Sequence, residues 1–477
     1  MSFKVLVIGD ICIKKEYDHN LVEDEVLKMI KEHDIVSCDF GITICSSAKE
    51  GVIKVGPYES QIDGSVMRCK ELGVNLVRLA GNHIMDYGLE GAQELTDKLD
   101  ALDIGWIGVS SDYQEAYQPA IVCVDNIKLA FFSVGQMEFG CSYEKGVSGF
   151  AWINSHELEK EIQKIRDEVD YIFVFPHAGV ESTPVPMPEW RNRYYSLIDL
   201  GADFIMATHP HIIQGVERYG RGVIAYSLGN FAYDYENPDD IDDWNRSIGI
   251  SFEISSDGYS YEIIPFQYDN GTVKIVNDNV FREKFEFANK LLLNNDLYHN
   301  ELDKVCEEFW YKYYSGYYAI NTVKSGGIIN SAFLFHNIGI ESHDYICRRA
   351  LRNRMYSETD CKNNVLEEVY LLWGAGKIGH AAVKYCRSKN VKIIGITDRN
   401  EALSGEFVEE YKIINVEDAI HKLEEYPEAV VMACAGIYLM SEIKCVLFDK
   451  VGSRRCISYE DFRTIIFIEE LLEELKK

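Results

Sequence analysis

The sequence predicts an α/β protein of more than one domain, with its chemistry at the carboxyl ends of parallel strands. Three observations predict it. Short apolar runs of strand length alternate with amphipathic helical stretches through the first half of the chain. Many of these runs stop abruptly at an aspartate, asparagine or histidine, which is where α/β sheets place their sites. At 477 residues the chain also exceeds what one core can hold, since single cores stop growing at roughly 250–300 residues.

Taken in order, Phe3–Ile8 reads as a first buried strand ending in Gly9-Asp10. A carboxylate there either faces a ligand or caps a turn. Val22–His33 is amphipathic, and Asp34–Ser37 is a second strand ending in Cys38-Asp39, with the same two readings. Ile62–Leu72 is helical. Val74–Leu79 is a third strand running into Gly81, Asn82, His83 and, three residues on, Asp86. The Asn82 amide offers an oxygen to a cation, and His83 beside it can act as a general acid or base. Asp86 either orients His83 or caps the turn. Gly88–Leu102 is a helix and Trp106–Val109 a strand; Ile121–Val124 and Leu129–Val134 form a hairpin about Asp125-Asn126. The helix Glu157–Glu168 precedes the strand Tyr171–Phe175, which ends in Pro176-His177-Ala178-Gly179-Val180-Glu181. Arg191–Leu200 then leads to the strand Phe204–Ala207 and to His209-Pro210-His211. Proline continues neither a helix nor a ladder, so both imidazoles sit in a loop. A further strand ends in Ser227-Leu228-Gly229-Asn230-Phe231.

Composition narrows the classes. The 77 acidic residues against 48 basic give a net charge of −29, which argues against nucleic acid and against anionic membrane surfaces. An anionic substrate would need a metal or local cations to supply positive field. Thirteen cysteines, an odd number without C-x-x-C pairs, suggest reduced thiols and a cytoplasmic location. MSFKVLVIGD reads as a strand rather than a signal segment, and no apolar run approaches the roughly 20 residues of a membrane helix, so no membrane insertion is expected.

Asp10, Asp39, Asn82, His177, His209 and His211 thus stand at strand ends in chain order. Mixed Asp, Asn and His ligation without thiolates suits one or two divalent ions of the Mn, Fe or Zn type. The order Asp…Asp…Gly-Asn-His…His…His-x-His resembles the calcineurin-like metallophosphoesterase superfamily. The blocks LAGNHIMDYGLEG, FPHAGVE, GADFIMATHPHIIQGVE and YSLGNF resemble the CapA family, named for poly-γ-glutamate capsule synthesis. The resemblance spans Phe3 to about Asp234. It implies a four-layer αββα sandwich with a binuclear metal centre. By it, Asp39 bridges both ions, Asp10 and His211 hold one, and Asn82, His177 and His209 hold the other. His83 protonates the leaving group, Ser227 and Asn230 line or support the pocket, and Lys15 binds an anion. Two departures stand out. Many metallophosphoesterases begin with Asp-x-His, and here the third residue is Cys12, either a substitute thiolate or a packed thiol. The bridging position, usually a glutamate, is the shorter Asp39.

Past this region, Ile248–Ile254 and Ser260–Gln267 alternate and close the domain, giving a boundary near Asn277 and a first domain of residues 1–277. Residues 278–364 read as an aromatic-rich helical linker subdomain. Residues 365–477 read as a small Rossmann-like domain with a C-terminal helix at Ile465–Lys477. There the strand Val369–Trp373 runs into Gly374-Ala375-Gly376-Lys377-Ile378-Gly379, followed by the helix Ala381–Ser388 and the strand Val391–Ile396, with Asp398 just beyond its end. Such a turn either cradles a nucleotide, with Asp398 meeting a ribose hydroxyl, or serves packing alone. Ala429–Ala433 and Cys445–Phe448 read as later strands.

The function expected is a CapA-like metal-dependent hydrolase using a metal-bound hydroxide, associated through the resemblance with capsule or exopolymer synthesis. Its substrate would be a small molecule or polymer precursor. The alternative is a non-catalytic, nucleotide-binding or regulatory subunit with a vestigial metal site. Either form is compatible with a homo-oligomer.

Overall fold

The computed structural model describes residues 2–44, 51–52, 57–124, 126–142, 145–234, 243–255, 257–276, 278–309, 368–434, 443, 456–459 and 462. The expected strand Cys445–Phe448, the C-terminal helix and the linker beyond residue 309 lie outside them. Two compact units result, the first reaching Leu302 and the second holding the elements from Val369 onward.

The first unit contains, in order, β1 (Phe3–Cys12), α1 (Asp24–Ile30), β2 (Ile35–Asp39), α2 (Ser65–Leu72), β3 (Leu76–Arg78), α3 (Gly88–Ala101), β4 (Gly105–Ile107), β5 (Val109–Ser110), α4 (Tyr113–Ala116), β6 (Ala120–Val124) and β7 (Ile127–Gly135). Then come β8 (Cys141–Ser142), β9 (Gly149–Ala151), α5 (His156–Ile165), β10 (Tyr171–His177), α6 (Pro188–Leu200), β11 (Phe204–Met206), β12 (Val216–Tyr219), β13 (Gly222–Ala225) and β14 (Asn230–Tyr233). β15 (Arg246–Ser255), β16 (Gly258–Asp269), β17 (Thr272–Ile275) and α7 (Asn279–Leu293) follow, and α8 (Asn295–Phe309) begins before the unit's end at Leu302.

One sheet runs β17-β16-β15-β1-β2-β3-β4, with β14 also pairing β1; the other runs β12-β13-β11-β10-β7-β6. Strand alternation explains why they stack. Leu6 and Ile8 of β1 pack with Val26, Leu72 and Leu99 of α1, α2 and α3. Val5 and Val7, pointing the other way, pack with Phe131, Phe173 and Phe204 of the second sheet. Helix α6 covers that sheet's far side at β11. Both faces of β1 are therefore buried, which is why its sequence is continuously apolar rather than alternating. Each fully buried side chain of this kind contributes about 1.5–3 kcal/mol.

The first unit does not end near 277. Phe281 of α7 joins the inter-sheet core, Asn289 Oδ1 accepts the Val216 N–H at 2.8 Å, and the Tyr298 hydroxyl donates to Pro186 O at 2.7 Å. The aromatic-rich helical stretch read as a linker opens with α7, whose Phe281 and Phe285 pack on the sandwich core.

The second unit contains β18 (Val369–Trp373), α9 (Lys377–Ser388), β19 (Lys392–Thr397), β20 (Phe407–Val408), β21 (Tyr411–Ile414), α10 (Val416–Glu425), β22 (Val430–Ala433) and β23 (Cys456–Ser458). Its sheet order is β20-β21-β19-β18-β22-β23, parallel except for β20 against β21. Tyr370 and Leu372 pack with Ala382 and Cys386 of α9; Leu371 and Trp373 pack with Ala419 and Leu423 of α10. This is a doubly wound sheet with a helix on each face.

Candidate metal centre

Strand pairing assembles the site. Asp10 of β1 sits opposite Asp39 of β2, and Asp39 opposite Arg78 of β3, so three charged residues form a row across neighbouring strands. The loops after β2 and β3 come together at a glycine pair. A Cβ on Gly81 would lie 2.6 Å from the Gly41 Cα, and one on Gly41 would lie 2.9 Å from the Gly81 Cα. That approach brings Asn82 and His83 to the same end of the sheet. From the second sheet, β10 delivers His177, and the loop after β11 delivers His209 and His211. Both of the latter adopt left-handed backbone, with φ of 95° and 61°. Non-glycine residues in this region are uncommon and concentrate at functional sites.

Among the described residues two groups of potential ligands emerge, each with its ligand atoms within 4.8 Å of one another: Asp10, Asp39 and His177; and Glu181, His209 and His211. His177 Nδ1 lies 3.3 Å from Asp39 Oδ2 and 4.0 Å from Asp10 Oδ1, while its Nε2 faces His209 Nδ1 at 3.2 Å. Thr208 Oγ1 donates to Asp39 Oδ2 at 2.6 Å. Gln136 Nε2 reaches His209 Nε2 at 3.0 Å, and the Gln136 carbonyl oxygen accepts the Gly179 N–H, so the amide nitrogen is the donor. Glu138 Oε1 stands 3.6 Å from His209 Nε2.

Asn230 Oδ1 accepts from His211 Nδ1 at 2.9 Å, because its Nδ2 donates to Trp244 O at 2.9 Å. His211 therefore carries its proton on Nδ1 and keeps the Nε2 lone pair. By the same logic Asp86, fully buried, takes the His83 Nδ1 proton at 2.8 Å while also accepting the Glu59 N–H at 2.7 Å. The Asp86 carboxylate thus stands against the His83 ring. His83 is close enough to His211 to perturb it electrostatically.

The electrostatics follow from burial. Desolvation, with Asp39 alongside, pushes the Asp10 carboxyl up. Burial also raises Asp39, but His177, Arg78 and Thr208 outweigh it, and its carboxyl ends below the usual range. Burial lowers the His211 imidazole to about 4, keeping it neutral. Burial raises the Cys12 thiol, which packs with Ile42, Tyr233 and Trp244, so Cys12 behaves as a packed thiol rather than a thiolate. Arg78 is buried completely. One nitrogen, Nη2, donates to Ile8 O at 2.5 Å, the guanidinium lies 4.8 Å from the Phe175 ring centroid, and Nε and Nη1 have no hydrogen-bond partner among the described residues.

A metal fits this donor set on one direct observation: Asp10 Oδ2 is buried, accepts no hydrogen bond among the described residues, and lies 3.8 Å from His211 Nδ1. Buried carboxylate oxygens are costly without a donor or a cation.

The remaining expected site residues divide. Asn82 is buried at the same strand ends. Asn230 holds His211. The Ser227 Oγ accepts the Gly229 N–H at 3.3 Å and so shapes the turn. Lys15 is exposed, with its backbone N–H on Asp234, whereas Lys14 is the lysine paired with an acid, Glu59. Sequence reasoning passed over Glu181, Gln136, Glu138 and Thr208, although each follows a strand end. It also passed over Arg78, a charge inside an otherwise apolar strand.

In the second unit, a Cβ on Gly374 would lie 2.5 Å from Cys434 O and one on Gly379 would lie 2.1 Å from Gly374 O, so close packing alone requires both. Gly376 faces open space and N-caps α9. Asp398 closes the turn, accepting the Ala375 N–H at 2.7 Å and the Asn400 N–H at 2.9 Å.

The two-sheet α/β sandwich thus gathers buried carboxylates and imidazoles at its strand ends. Residues 4–235 match the family model of the bacterial capsule synthesis protein PGA_cap. The chain is 26% identical over 288 residues to the capsule biosynthesis protein CapA of Bacillus anthracis, covering 57% of this chain and 68% of that protein. It is 25% identical over 229 residues to the PGA biosynthesis protein CapA of Bacillus subtilis (strain 168), covering 46% of this chain and 58% of that protein. A phosphatase of known structure from Mycoplasma pneumoniae aligns with a TM-score of 0.35 and 12% identity, over 59% of this chain and 97% of that one.

Proposed function

We propose that this chain is a CapA-type metal-dependent hydrolase cleaving a phosphoester or an amide bond in capsule or exopolymer synthesis, with poly-γ-glutamate or its precursors as the polymer class. The buried Asp10 oxygen among imidazoles is the observation that carries this reading. Asp10, Asp39 and His177 would hold a divalent ion of the Mn, Fe or Zn type, with Asn82 as a further oxygen donor, and such an ion would supply Lewis acidity there. The chain's own residues do the rest. Thr208 holds the Asp39 carboxylate in place. Asp86 fixes the His83 ring through Nδ1, and the ring moves a proton to or from the leaving group. The net charge of −29 favours a small phosphorylated or sugar-nucleotide substrate over a long polyanion.

Elemental analysis of protein purified without chelator, alongside Asp39→Ala, tests the metal. A phosphoester and γ-glutamyl substrate screen with His83→Ala tests the chemistry. The expected result is metal lost in Asp39→Ala, and activity down about 10²–10⁴-fold in His83→Ala with metal content kept. Absence of metal even after reconstitution defeats the enzyme reading. A second reading, a nucleotide-sensing subunit, is favoured by the open Gly376 at the start of α9. It requires adenine- or uridine-nucleotide binding that is lost in Gly376→Val.

A further inference from the structure

We propose that Glu181, with His209 and His211, forms a second cation position separate from the Asp10–Asp39–His177 pocket, Glu181 supplying the ligand that Cys12 does not. This rests on the reading of the site as a metal centre, and it redistributes the ligands. The resemblance would pair His211 with Asp10. In the structure His211 turns Nδ1 to Asn230, leaving Nε2 as its ligand atom, and the residues it groups with are Glu181 and His209.

Glu181 is held there by built structure. Its segment is laced to the His209–His211 loop by the Ala178 N–H on Thr208 O at 3.1 Å and the Ser182 N–H on Pro210 O at 2.9 Å. Close approach depends on Gly179, with φ of 143°, where a Cβ would meet Pro210 Cγ at 2.7 Å. Two imidazoles and a carboxylate form a donor set suited to a divalent transition metal, which would take the His209 lone pair that otherwise accepts from Gln136 Nε2. On the β1 side, Cys12 is enclosed by Ile42, Tyr233 and Trp244 and offers no ligand. The acid that completes this second position therefore comes from the opposite sheet, four residues after His177.

The test is Co²⁺ titration of the full chain, freed of metal by chelation, read by visible absorption and by equilibrium dialysis. Wild type, Glu181→Gln, Glu181→Asp and Asp39→Asn are compared, with far-UV circular dichroism as a folding control. Two equivalents are expected in wild type. Glu181→Gln should keep one equivalent and weaken the other at least tenfold, Glu181→Asp should partly restore it, and Asp39→Asn should weaken the complementary equivalent. Two unchanged equivalents in Glu181→Gln overturn the proposal while leaving the metal centre standing. Loss of both in a folded Glu181→Gln overturns the separation of the two positions. No Co²⁺ bound by wild type overturns the metal reading itself, and this inference with it.

Discussion

Replacing Arg78 with methionine should tighten divalent-ion binding. Arg78 is fully buried and shares a row with Asp39 and Asp10, one and two strands away. Its guanidinium supplies positive charge where an ion would also supply it. The guanidinium reaches across to the Ile8 carbonyl of β1, two residues before Asp10, so the cation lies within about 10 Å of an ion at Asp10. At an effective dielectric of about 20, a unit charge repels a divalent ion at that distance by roughly 3 kcal/mol, a factor on the order of 10² in affinity. Methionine retains an apolar stem, removes the charge, and removes the two buried nitrogens, Nε and Nη1, that have no hydrogen-bond partner among the described residues. Without the guanidinium, Asp10 and Asp39 lose their counter-charge, so the variant should also depend more on the ion for stability. Isothermal titration with Mn²⁺ and urea unfolding with and without Mn²⁺ measure both effects, and Arg78→Lys keeps the charge as a control. A folded Arg78→Met that binds Mn²⁺ no more tightly than wild type would refute the reasoning and make Arg78 a support for Asp39.

Asn230→Ala should weaken ion binding about 10–100-fold at the position served by His211, because it frees the ring that Asn230 orients; Mn²⁺ titration checks this. In chelator, stability should fall as pH drops from about 6.5 toward 4. Burial holds the His211 imidazole at about 4 when folded, against ~6.5 unfolded, so the unfolded chain takes up the proton first. The contribution is complete above pH 6.5 and amounts to roughly 3 kcal/mol, and the difference between wild type and His211→Gln in urea midpoints across that range isolates it. Gly9→Ala should lower stability by about 1–3 kcal/mol or more in urea unfolding, since its Cβ would lie 1.9 Å from Gly229 O, beside the strand segment that carries Asp10.

Local pattern in the sequence was enough to mark the strand ends that gather at the candidate site. An apolar run followed by a polar group marked Asp10, Asp39, Asn82, His177 and the His209–His211 loop, because a strand buried on both faces can carry such groups only where it ends. The same pattern described β18 and the glycine turn before α9. Tertiary structure alone decided how those groups are shared out. Asp10 and Asp39 meet because β1 pairs with β2, and His177 joins them because the second sheet stacks on the first. Glu181 lies against His209 and His211 because backbone hydrogen bonds tie two loops together across about 30 residues of sequence. The domain boundary moved for a related reason, since an amphipathic helix such as α7 does not encode which surface will cover its apolar face. Residue type and spacing specify what a strand end can bind, but which strand ends become neighbours depends on contacts distant in sequence, and no local run of residues records them.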